Sequence, residues 1–338
     1  MSYFQGLYLK STTYIVIVNY KTADLLGQCL KSLATQLSAL NGGKVIIIDN
    51  DSKDGSVAQL QTFIESENLC SWVELISMPR NGGFAYGCNA GIRHVLSIDR
   101  AVKYVMLLNP DTLVRVGAIA SLVDFMDANN HAGIAGSQLE NIEGIIENSA
   151  HRFHSPFGEL LESARLGMLS RLFSQHEITP PFNGNVHQCN WVSGSSMMIR
   201  RQVFEQIGLL DEAFFLYFEE VDFFYRSNKA GWQTWYVPSA KVMHIEGAST
   251  GIKSAKRRPQ YWYDSRRRYF LKHYGMLGLM SADLLWVIGR LSFVLRRCFG
   301  LVRKVYPNDP KYLTWDILSG DICNILSGKV WHLDKEKF

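Results

Sequence analysis

The sequence predicts an α/β protein built on a doubly wound, mostly parallel β-sheet with helices on both faces. Over the first 130 residues, short β-branched apolar runs alternate with longer amphipathic stretches. The runs lack the polar alternation of half-exposed strands, which is typical of strands buried on both faces. Consecutive strand–helix pairs of this kind form parallel sheets with right-handed crossovers. The length of 338 residues and the apolar content of 47% allow a large core and exclude a disordered chain.

Four strand–helix pairs follow one another in this part of the chain. The strands are predicted at 14–18, 44–48, 72–76 and 104–108, and the helices after them at 24–37, 56–66, 86–97 and about 116–127. In the first helix, Leu26, Leu30 and Leu33 lie on one stripe. Ligands of such sheets bind beyond the carboxyl ends of the strands, so a site is expected in the segments that follow them.

The second half of the chain is less regular. The periodicity fades between 137 and 188, where we expect a variable insert that contributes to the site. Regular structure is predicted again as a strand at 191–199, a helix at 202–207 and strands near 235–237 and 241–244. Residues 1–11 are expected to be disordered or appended to the domain.

Polar residues follow three of the four predicted strands. They form the groups 19–21, 49–51 and 109–111, which read Asn-Tyr-Lys, Asp-Asn-Asp and Asn-Pro-Asp. Each group alone is typical of a turn or a helix cap. Because parallel strands bring all three groups to one edge of the sheet, we interpret them together as one binding crevice.

A glycine-rich stretch at 81–91 follows the third strand. It matches neither the G-x-G-x-x-G dinucleotide fingerprint nor the G-x-x-x-x-G-K-[ST] phosphate loop, and a dinucleotide fingerprint normally follows the first strand. A dehydrogenase or an ATPase is therefore disfavoured. The stretch opens a helix, so its backbone N–H groups can still hold a diphosphate.

The segment 214–226 interleaves aromatic residues with Glu219, Glu220 and Asp222 and ends in Arg226. An ion pair between Asp222 and Arg226, four residues apart on a helix, accounts for two of the charges. It does not account for the adjacent glutamates, and burial among apolar rings raises the pKa of a carboxyl group. A general base needs such an environment, so this segment is the candidate catalytic site.

Seven short motifs occur in order along residues 12–275. They lie at 16–20, 47–52, 81–85, 108–111, 191–194, 218–222 and 242–244. In this order they resemble the family 2 inverting glycosyltransferases of the GT-A fold, in a branch similar to bacterial rhamnosyltransferases of cell-wall and O-antigen synthesis. The resemblance implies a GT-A type domain at 12–275, divided into a nucleotide-sugar-binding half at 12–130 and an acceptor half at 131–275, and a C-terminal helical extension at 276–338.

The resemblance also implies a donor site. Asp49 and Asn50 would contact the nucleotide base, and Asn19 and Tyr20 would shape its pocket. The other residues implied in nucleotide-sugar binding are Asn81, Gly83, Asn89, Asn109, Trp191 and Gly194. The implied donor is dTDP-rhamnose, with a UDP-sugar as the rival, and the implied acceptor is a glycan or a polyprenyl-linked sugar.

Catalytic and metal-binding roles are implied in the same way. Glu220 matches the base of the family, with Glu219 as the alternative, and Asp222 completes that motif. Asp111 and His244 match the ligands of a divalent metal ion, Mg²⁺ or Mn²⁺, that bridges the diphosphate. This chain departs from the family in two places: the metal motif Asn-Pro-Asp has one carboxylate fewer, and Glu-Glu stands where Glu-Asp is usual.

Two other functions are compatible with single features of the sequence. A sugar nucleotidyltransferase shares the sheet but carries a glycine-rich basic loop after the first strand, where this chain reads Asn-Tyr-Lys-Thr-Ala at 19–23. A nucleic-acid binder would contact phosphates through the basic clusters 256–258 and 266–268. It would leave the acidic segment unexplained, so we expect no nucleic-acid partner.

The C-terminal stretch 253–304 carries 13 Lys and Arg residues against 2 Asp and Glu residues. Wound as a helix, residues 284–305 place an apolar arc opposite a basic arc, with Trp286 and Phe293 on the basic side. The apolar arc either packs on the catalytic domain or lies on a membrane. We favour an anionic membrane surface, because a lipid-linked acceptor would lie there. No uncharged apolar run of 18 residues is present, so no membrane-spanning helix is predicted.

The six cysteines are scattered and include no C-x-x-C pair. We therefore expect reduced thiols in a cytoplasmic enzyme that is peripheral on the inner face of the cell membrane. The start of the sequence shows no charged region followed by an apolar one, so no signal peptide is predicted. The sequence leaves the oligomeric state open.

Overall fold

The computed structural model describes residues 11–245, 257–302, 310 and 312–328. Expectations for residues 1–10, for Lys256 and for 303–305 lie outside this part of the chain. The strands within it are β1 (Thr13–Asn19), β2 (Val45–Asp49), β3 (Val73–Ser77), β4 (Tyr104–Leu108), β5 (Thr112–Val114), β6 (Ala132–Glu140), β7 (Ile146–Glu147), β8 (Ala150–His151), β9 (His187–Cys189), β10 (Trp191–Val192), β11 (Ser196–Arg200) and β12 (Gln233–His244).

Helices separate most of these strands and form the C-terminal extension. They are α1 (Ala23–Leu33), α2 (Leu37–Leu40), α3 (Ser56–Ser66), α4 (Phe84–Ile98), α5 (Ala118–Ala128), α6 (Pro156–Ala164), α7 (Gly167–Leu172), α8 (Arg201–Ile207), α9 (Glu219–Lys229), α10 (Gln260–Cys298) and α11 (Leu313–Leu326). Helix α10 is broken at Gly275, whose φ of 67° lies in the left-handed region that glycine tolerates.

One large sheet has the strand order β3-β2-β1-β4-β11-β6-β12-β5. Strands β1 to β4 pair in parallel and bring Asn19 beside Asp49 at their carboxyl ends. Strand β11 runs antiparallel to both of its neighbours, so the second half of the sheet is mixed. The predicted α/β fold is confirmed, and all four strands predicted in the first 130 residues are present and pair in parallel.

The parallel strands are buried on both faces, as their continuous apolar sequences predicted. Ile15 and Ile17 of β1 belong to one core, with side chains from α1, α3 and α5. Val16 and Val18 belong to the opposite core, with side chains from α4, α8 and α9. Because the chain is held from both sides, the strand ends form a rigid edge on which a site can be built.

In the second half of the chain, the structure differs from the strand predictions at two places. The strand predicted at 191–199 is two strands, β10 and β11, separated by the turn 193–195. In that turn Ser195 O accepts a hydrogen bond from Asn109 N at 2.9 Å, so the turn lies against the end of β4. The two strands predicted near 235–237 and 241–244 are one, β12, with a register shift between Val237 and Lys241.

The insert predicted from 137 is more regular than expected. It begins with β6, which is buried along its whole length and occupies the middle of the sheet. The sequence of β6, Ala-Gly-Ile-Ala-Gly-Ser-Gln-Leu-Glu, is rich in small residues and conceals the strand. At Gly136 a Cβ would collide with Val192, so the small residue lets β10 approach the sheet.

The second half of α10 packs on α6 and α11 through the side that carries Trp286 and Phe293, and not through its apolar arc. Trp286 and Phe293 are buried, and Trp286 Nε1 donates to Thr314 Oγ1 at 3.1 Å. The expectation that these rings lie on a free basic side is therefore wrong. The alternative that the apolar arc packs on the domain is also wrong, because that arc is exposed through Leu284, Ile288, Leu291, Val294 and Leu295.

The basic cluster 266–268 is internal. Its three arginines pair with carboxylates of neighbouring elements, as Arg266–Glu159, Arg267–Asp321 and Arg268–Asp211. All three side chains are buried, since α10 runs between α6, α11 and the loop that precedes α9. The cluster is therefore not available to nucleic-acid phosphates, and the nucleic-acid interpretation loses these contacts.

Candidate active site

A cavity of about 320 Å³ opens at the carboxyl edge of β1, β2 and β4, where the polar strand ends predicted a crevice. Five of the predicted donor-site residues line it: Tyr20, Asn50, Asn81, Gly83 and Asn109. Apolar and aromatic side chains form much of the remaining wall, among them Val18, Phe84, Phe215, Leu216 and Tyr261. Amides beside aromatic rings suit a planar ligand with polar edges.

Tyr261 belongs to the C-terminal helix α10, and sequence reasoning did not include it in the site. Its ring centroid lies 5.7 Å from that of Phe215 and 6.2 Å from that of Tyr217, with an angle of 22° between the two tyrosine rings. The sequence marks Tyr261 only as an aromatic residue in the first turn of a helix, which does not indicate that it lines the cavity. The helix that leaves the domain thus contributes to the wall of the cavity.

Asn50 presents a hydrogen-bond acceptor that no described residue satisfies. Its Nδ2 donates to Gly83 O at 2.9 Å and to Asn81 Oδ1 at 3.0 Å, which fixes the orientation of the amide. Its Oδ1 is buried and accepts no hydrogen bond within the described part of the chain. Leaving a buried acceptor unpaired costs about 1–3 kcal/mol. An N–H group of a ligand is the partner that this geometry calls for.

Gly83 is required by a close approach of two loops. Its φ is 89°, and a Cβ at this position would collide with the carbonyl of Phe215. The next residue, Phe84, donates its N–H to Phe215 O at 2.8 Å. The glycine-rich stretch therefore fixes the Phe215 loop against the cavity and begins α4 there.

Three other predicted donor-site residues lie behind the wall. Asp49 is buried and accepts hydrogen bonds from Asn19 Nδ2 and Ser52 Oγ, both at 2.7 Å. Asn19 in turn accepts from Thr22, so this pair supports the loops after β1 and β2 from below. Asn89 faces the loop before α9, where its Nδ2 donates to Leu210 O at 2.8 Å.

Asp111 and His244 meet although 133 positions separate them. Strands β5 and β12 pair with Thr112 opposite His244, and Ile245 N donates to Asp111 O. This pairing leaves 3.3 Å between Asp111 Oδ1 and His244 Nε2, with Asn109 Nδ2 at 3.5 Å from the same nitrogen. Asp111 Oδ1 is buried and accepts no hydrogen bond among the described residues. A carboxylate oxygen and an imidazole nitrogen so placed fit a divalent cation.

Glu219 and Glu220 begin α9, and each has one buried carboxyl oxygen. One oxygen of each, Oε2, has no hydrogen-bond partner among the described residues. Burial raises the pKa of both, and the charge of Glu220 raises that of Glu219 further. The residues before them, Tyr217 and Phe218, hold left-handed φ values of 69° and 68°, a strained conformation typical of functional sites.

Gly194 and Trp191 lie near this pair and do not line the cavity. A Cβ on Gly194 would stand 3.6 Å from Glu220 Cγ, so the turn 193–195 runs directly past this side chain. Trp191 packs against the cluster that contains Phe218, and its indole stacks on His151 with 4.3 Å between ring centroids.

Asp222 has a structural role, so the part of the prediction that made it catalytic is corrected. It is buried and accepts hydrogen bonds from Arg226 Nε and His273 Nε2, both at 2.9 Å, and pairs with Lys272 at 2.8 Å. Despite burial, the hydrogen bond from His273 and the charges of Arg226 and Lys272 hold the pKa of Asp222 below its usual range. A carboxylate so fully engaged fixes α9 against α10 and cannot take a proton from a substrate near pH 7.

Comparisons with known proteins identify the family of this chain. The model of the glycosyl transferase family 2 matches residues 14–208. The N-acetylglucosaminyl-diphospho-decaprenol L-rhamnosyltransferase of Mycobacterium tuberculosis is 29% identical over 70% of this chain and 77% of its own length. The dTDP-rhamnosyl transferase RfbF of Shigella flexneri is 26% identical over 71% of each chain.

A solved structure shows the same fold. The crystal structure of GalNAc-T7 with UDP, GalNAc and Mn²⁺ superposes with a TM-score of 0.58, at 16% identity, over 94% of this chain and 57% of that one. The ordered motifs, the GT-A fold and the family match over more than half of the sequence lead to one conclusion. The chain is a glycosyltransferase and belongs to glycosyl transferase family 2.

Proposed function

We propose that the enzyme is an inverting rhamnosyltransferase that uses dTDP-rhamnose and a glycan or polyprenyl-linked acceptor in polysaccharide synthesis. The acceptor oxygen forms a bond to the anomeric carbon while the bond from that carbon to the diphosphate oxygen breaks. The hydroxyl proton goes to Glu220, and the diphosphate leaves with the electron pair. The Asp111–His244 pair is the observation that best supports the proposal. The pair lies beside the cavity, because Asn109, whose Nδ2 is 3.5 Å from His244 Nε2, lines the cavity wall.

Asp111 and His244 would hold a divalent cation, Mg²⁺ or Mn²⁺. When bound, such an ion neutralises the charge that develops on the leaving diphosphate. The buried Asp111 Oδ1 supports this role, since no described residue donates a hydrogen bond to it and a cation could bind there without displacing one. The imidazole of His244 favours Mn²⁺ slightly over Mg²⁺.

Asn50 supports a pyrimidine nucleotide. Thymine and uracil each carry an N–H donor between two carbonyl acceptors, and Asn50 Oδ1 is an acceptor, held in place, to which no described residue donates. The same edge is present on both bases, so this contact alone does not choose between them. We favour dTDP-rhamnose because both relatives are named as rhamnosyltransferases and one as using dTDP; a UDP-sugar is the alternative.

Thermal unfolding with nucleotides tests this function. With Mn²⁺ present, dTDP-rhamnose at 100 times its Kd is expected to stabilise the fold by about 2.7 kcal/mol. Asp111→Asn is expected to lose the part of this shift that depends on Mn²⁺, while Asp54→Asn, on the surface, keeps all of it. No shift with dTDP-rhamnose or with a UDP-sugar would overturn the proposed function, and a full shift in excess chelator would overturn the metal site.

The exposed apolar face of α10 supports a contact between the enzyme and a membrane surface. Leu284 and Leu291 are 61% and 59% exposed, and the face that carries them has no exposed carboxylate. By length and composition alone, α10 includes an 18-residue window apolar enough to cross a membrane, with mean hydropathy 1.5, and a third of that window is buried in protein. We propose that the helix lies on the cytoplasmic face of the membrane, where a polyprenyl-linked acceptor would be met.

Sedimentation with vesicles tests the membrane contact. The full chain is expected to pellet with phosphatidylcholine vesicles that contain phosphatidylglycerol. The double variant Leu284→Glu/Leu291→Glu should pellet at least tenfold less, because it places two charges on the apolar face. The matched control is Val116→Glu/Ile145→Glu, which charges two exposed apolar residues elsewhere. Equal pelleting of the two double variants, or no pelleting of the unmodified chain, would contradict the contact.

Truncation near Tyr274 is a poor control for this experiment. It would remove Asp283 and Asp321, which pair with the buried Arg266 at 2.9 Å and 3.5 Å. A truncated chain would therefore lose vesicle binding through misfolding as readily as through loss of the apolar face. Point variants on the exposed face avoid this ambiguity.

A further inference from the structure

Two aromatic side chains that line the cavity lie beyond the residues that the family model matches. The match ends at residue 208, whereas Phe215 lies in the loop before α9 and Tyr261 in the first turn of α10. Their ring centroids are 5.7 Å apart, with an angle of 44° between the ring planes. Phe215 is 40% exposed, so part of its ring is free to contact a ligand. These two rings form an aromatic wall of the cavity.

Hydrogen bonds place the aromatic wall beside Asn50. Asn50 Nδ2 donates to Gly83 O at 2.9 Å, and the N–H of the next residue, Phe84, donates to Phe215 O at 2.8 Å. A Cβ at Gly83 would collide with the backbone of Phe215, so no side chain separates the two loops at this point. The aromatic wall therefore lies at the end of the cavity that contains Asn50 Oδ1, the buried acceptor to which no described residue donates.

The metal pair marks another part of the cavity. Asn109 and Pro110 line it there, and Asn109 Nδ2 lies 3.5 Å from His244 Nε2. A nucleotide that has its diphosphate beside this pair and its base N–H at Asn50 Oδ1 presents its base to the aromatic wall. The transferred sugar, attached to the far side of the diphosphate, then lies away from these rings.

The loop before α9 holds Tyr261 in place. The ring of Tyr217 lies nearly parallel to that of Tyr261, with 22° between the planes and 6.2 Å between the centroids. One turn further along α10, Ser265 Oγ donates to Leu216 O at 3.1 Å and joins the helix to the same loop. A ring that is already fixed loses little conformational freedom when a ligand binds against it.

We propose that Tyr261 is a nucleotide-binding residue whose ring stacks on the pyrimidine base of the donor, beside Phe215. The inference rests on the proposed function, which supplies a donor linked to dTDP or UDP. Every base has a π-face, so stacking contributes affinity without distinguishing thymine from uracil. The first turn of the C-terminal helix is then part of the donor site, although it lies outside the part of the chain that the family model matches.

Titration calorimetry with Mn²⁺ tests the inference through the Kd values for dTDP, UDP and dTDP-rhamnose. Tyr261→Ala is expected to raise all three by the same factor, about 5- to 150-fold, the usual loss when a stacking aromatic side chain is replaced by alanine. Tyr261→Phe keeps the ring and should bind all three within about twofold of the unmodified enzyme. Alanine is favourable in a helix, so the first variant should retain α10.

Trp315→Ala is the matched control. It removes a ring that is 68% exposed from the first turn of α11, outside the cavity wall, and its Kd values should not change. An unchanged Kd for dTDP in Tyr261→Ala, or an equal loss in Tyr261→Phe, would overturn the inference. A loss for dTDP-rhamnose alone would also overturn it, because the ring would then contact the sugar.

Thermal unfolding without nucleotide shows whether each variant folds. If Tyr261→Ala does not fold, Tyr261→Leu replaces it, and equal Kd values for dTDP in Tyr261→Leu and Tyr261→Phe would overturn the inference. Failure of the unmodified enzyme to bind any of the three nucleotides would instead overturn the proposed function.

Discussion

Glu220→Gln is expected to lower the rate of transfer by about 10²–10⁴-fold, the usual contribution of a general base. The amide has the shape of the carboxyl group but cannot accept the hydroxyl proton. Glu220 does not line the nucleotide cavity, so Asn50 and the Asp111–His244 pair remain intact and the Kd for dTDP should change less than twofold. Steady-state kinetics and a nucleotide titration measure the two effects separately.

Glu219→Gln is the matched control for this prediction. Glu219 is the more deeply buried of the two, and its pKa is raised well above the ordinary value by burial and by the charge of Glu220. A raised pKa favours the protonated carboxyl group, which an amide resembles, so this variant should keep more transfer activity than Glu220→Gln. An inactive Glu219→Gln beside an active Glu220→Gln would identify Glu219 as the base.

The parallel half of the fold was predictable because its physical cause is local. Strands buried on both faces must be apolar throughout, and β1, β2 and β4 consist almost entirely of such residues. The polar residues that follow them then have a defined place at the sheet edge. For this reason Tyr20, Asn50 and Asn109 were found in the cavity, and Asp111 could be assigned to the same edge.

The features that could not be predicted depend on contacts between distant parts of the chain. Tyr261 reaches the cavity only because α10 returns across the loop before α9, and nothing in its local sequence indicates that return. The exposure of the apolar arc of α10 is compatible with the membrane contact that the sequence favoured, but the burial of Trp286 and Phe293 was not predicted. The buried side of the helix, with Trp286, Gly289 and Phe293, is less apolar than its exposed side, since a glycine and a buried Asp283 lie within it. Hydrophobic periodicity alone therefore did not show that this side packs on the domain.

Arg266→Gln is expected to reduce the free energy of unfolding by about 3–5 kcal/mol, the cost of removing one partner from a buried ion pair. The guanidinium is 1% exposed and pairs with Glu159 of α6, Asp283 of α10 and Asp321 of α11. Without it, three carboxyl groups from three helices remain buried together with fewer cations. Urea unfolding followed by circular dichroism measures the loss.

Arg257→Gln is the control, because Arg257 pairs with Asp316 of α11 but its side chain is exposed, and the buried Asp316 keeps the hydrogen bond from Tyr263. An exposed cation contributes less to an ion pair than a buried one, so this variant should lose less stability than Arg266→Gln. A loss in Arg266→Gln no larger than that in Arg257→Gln would show that the buried network does not hold the C-terminal helices.

The loss of unfolding free energy in Arg266→Gln should also depend on pH. The direction of that dependence follows from the pKa values of the carboxyl groups around Arg266. Burial raises the pKa of Asp283 to about 7 even beside the arginine, whereas the charge of Arg266 helps to hold that of Glu159 below its usual range. Removing the guanidinium raises both values. Near pH 5 Asp283 is already protonated and loses little, but near pH 8 the folded state must keep buried charges without their cation. The deficit should therefore be larger at pH 8 than at pH 5, and a deficit independent of pH would mean that the variant acts through lost packing rather than through lost charge.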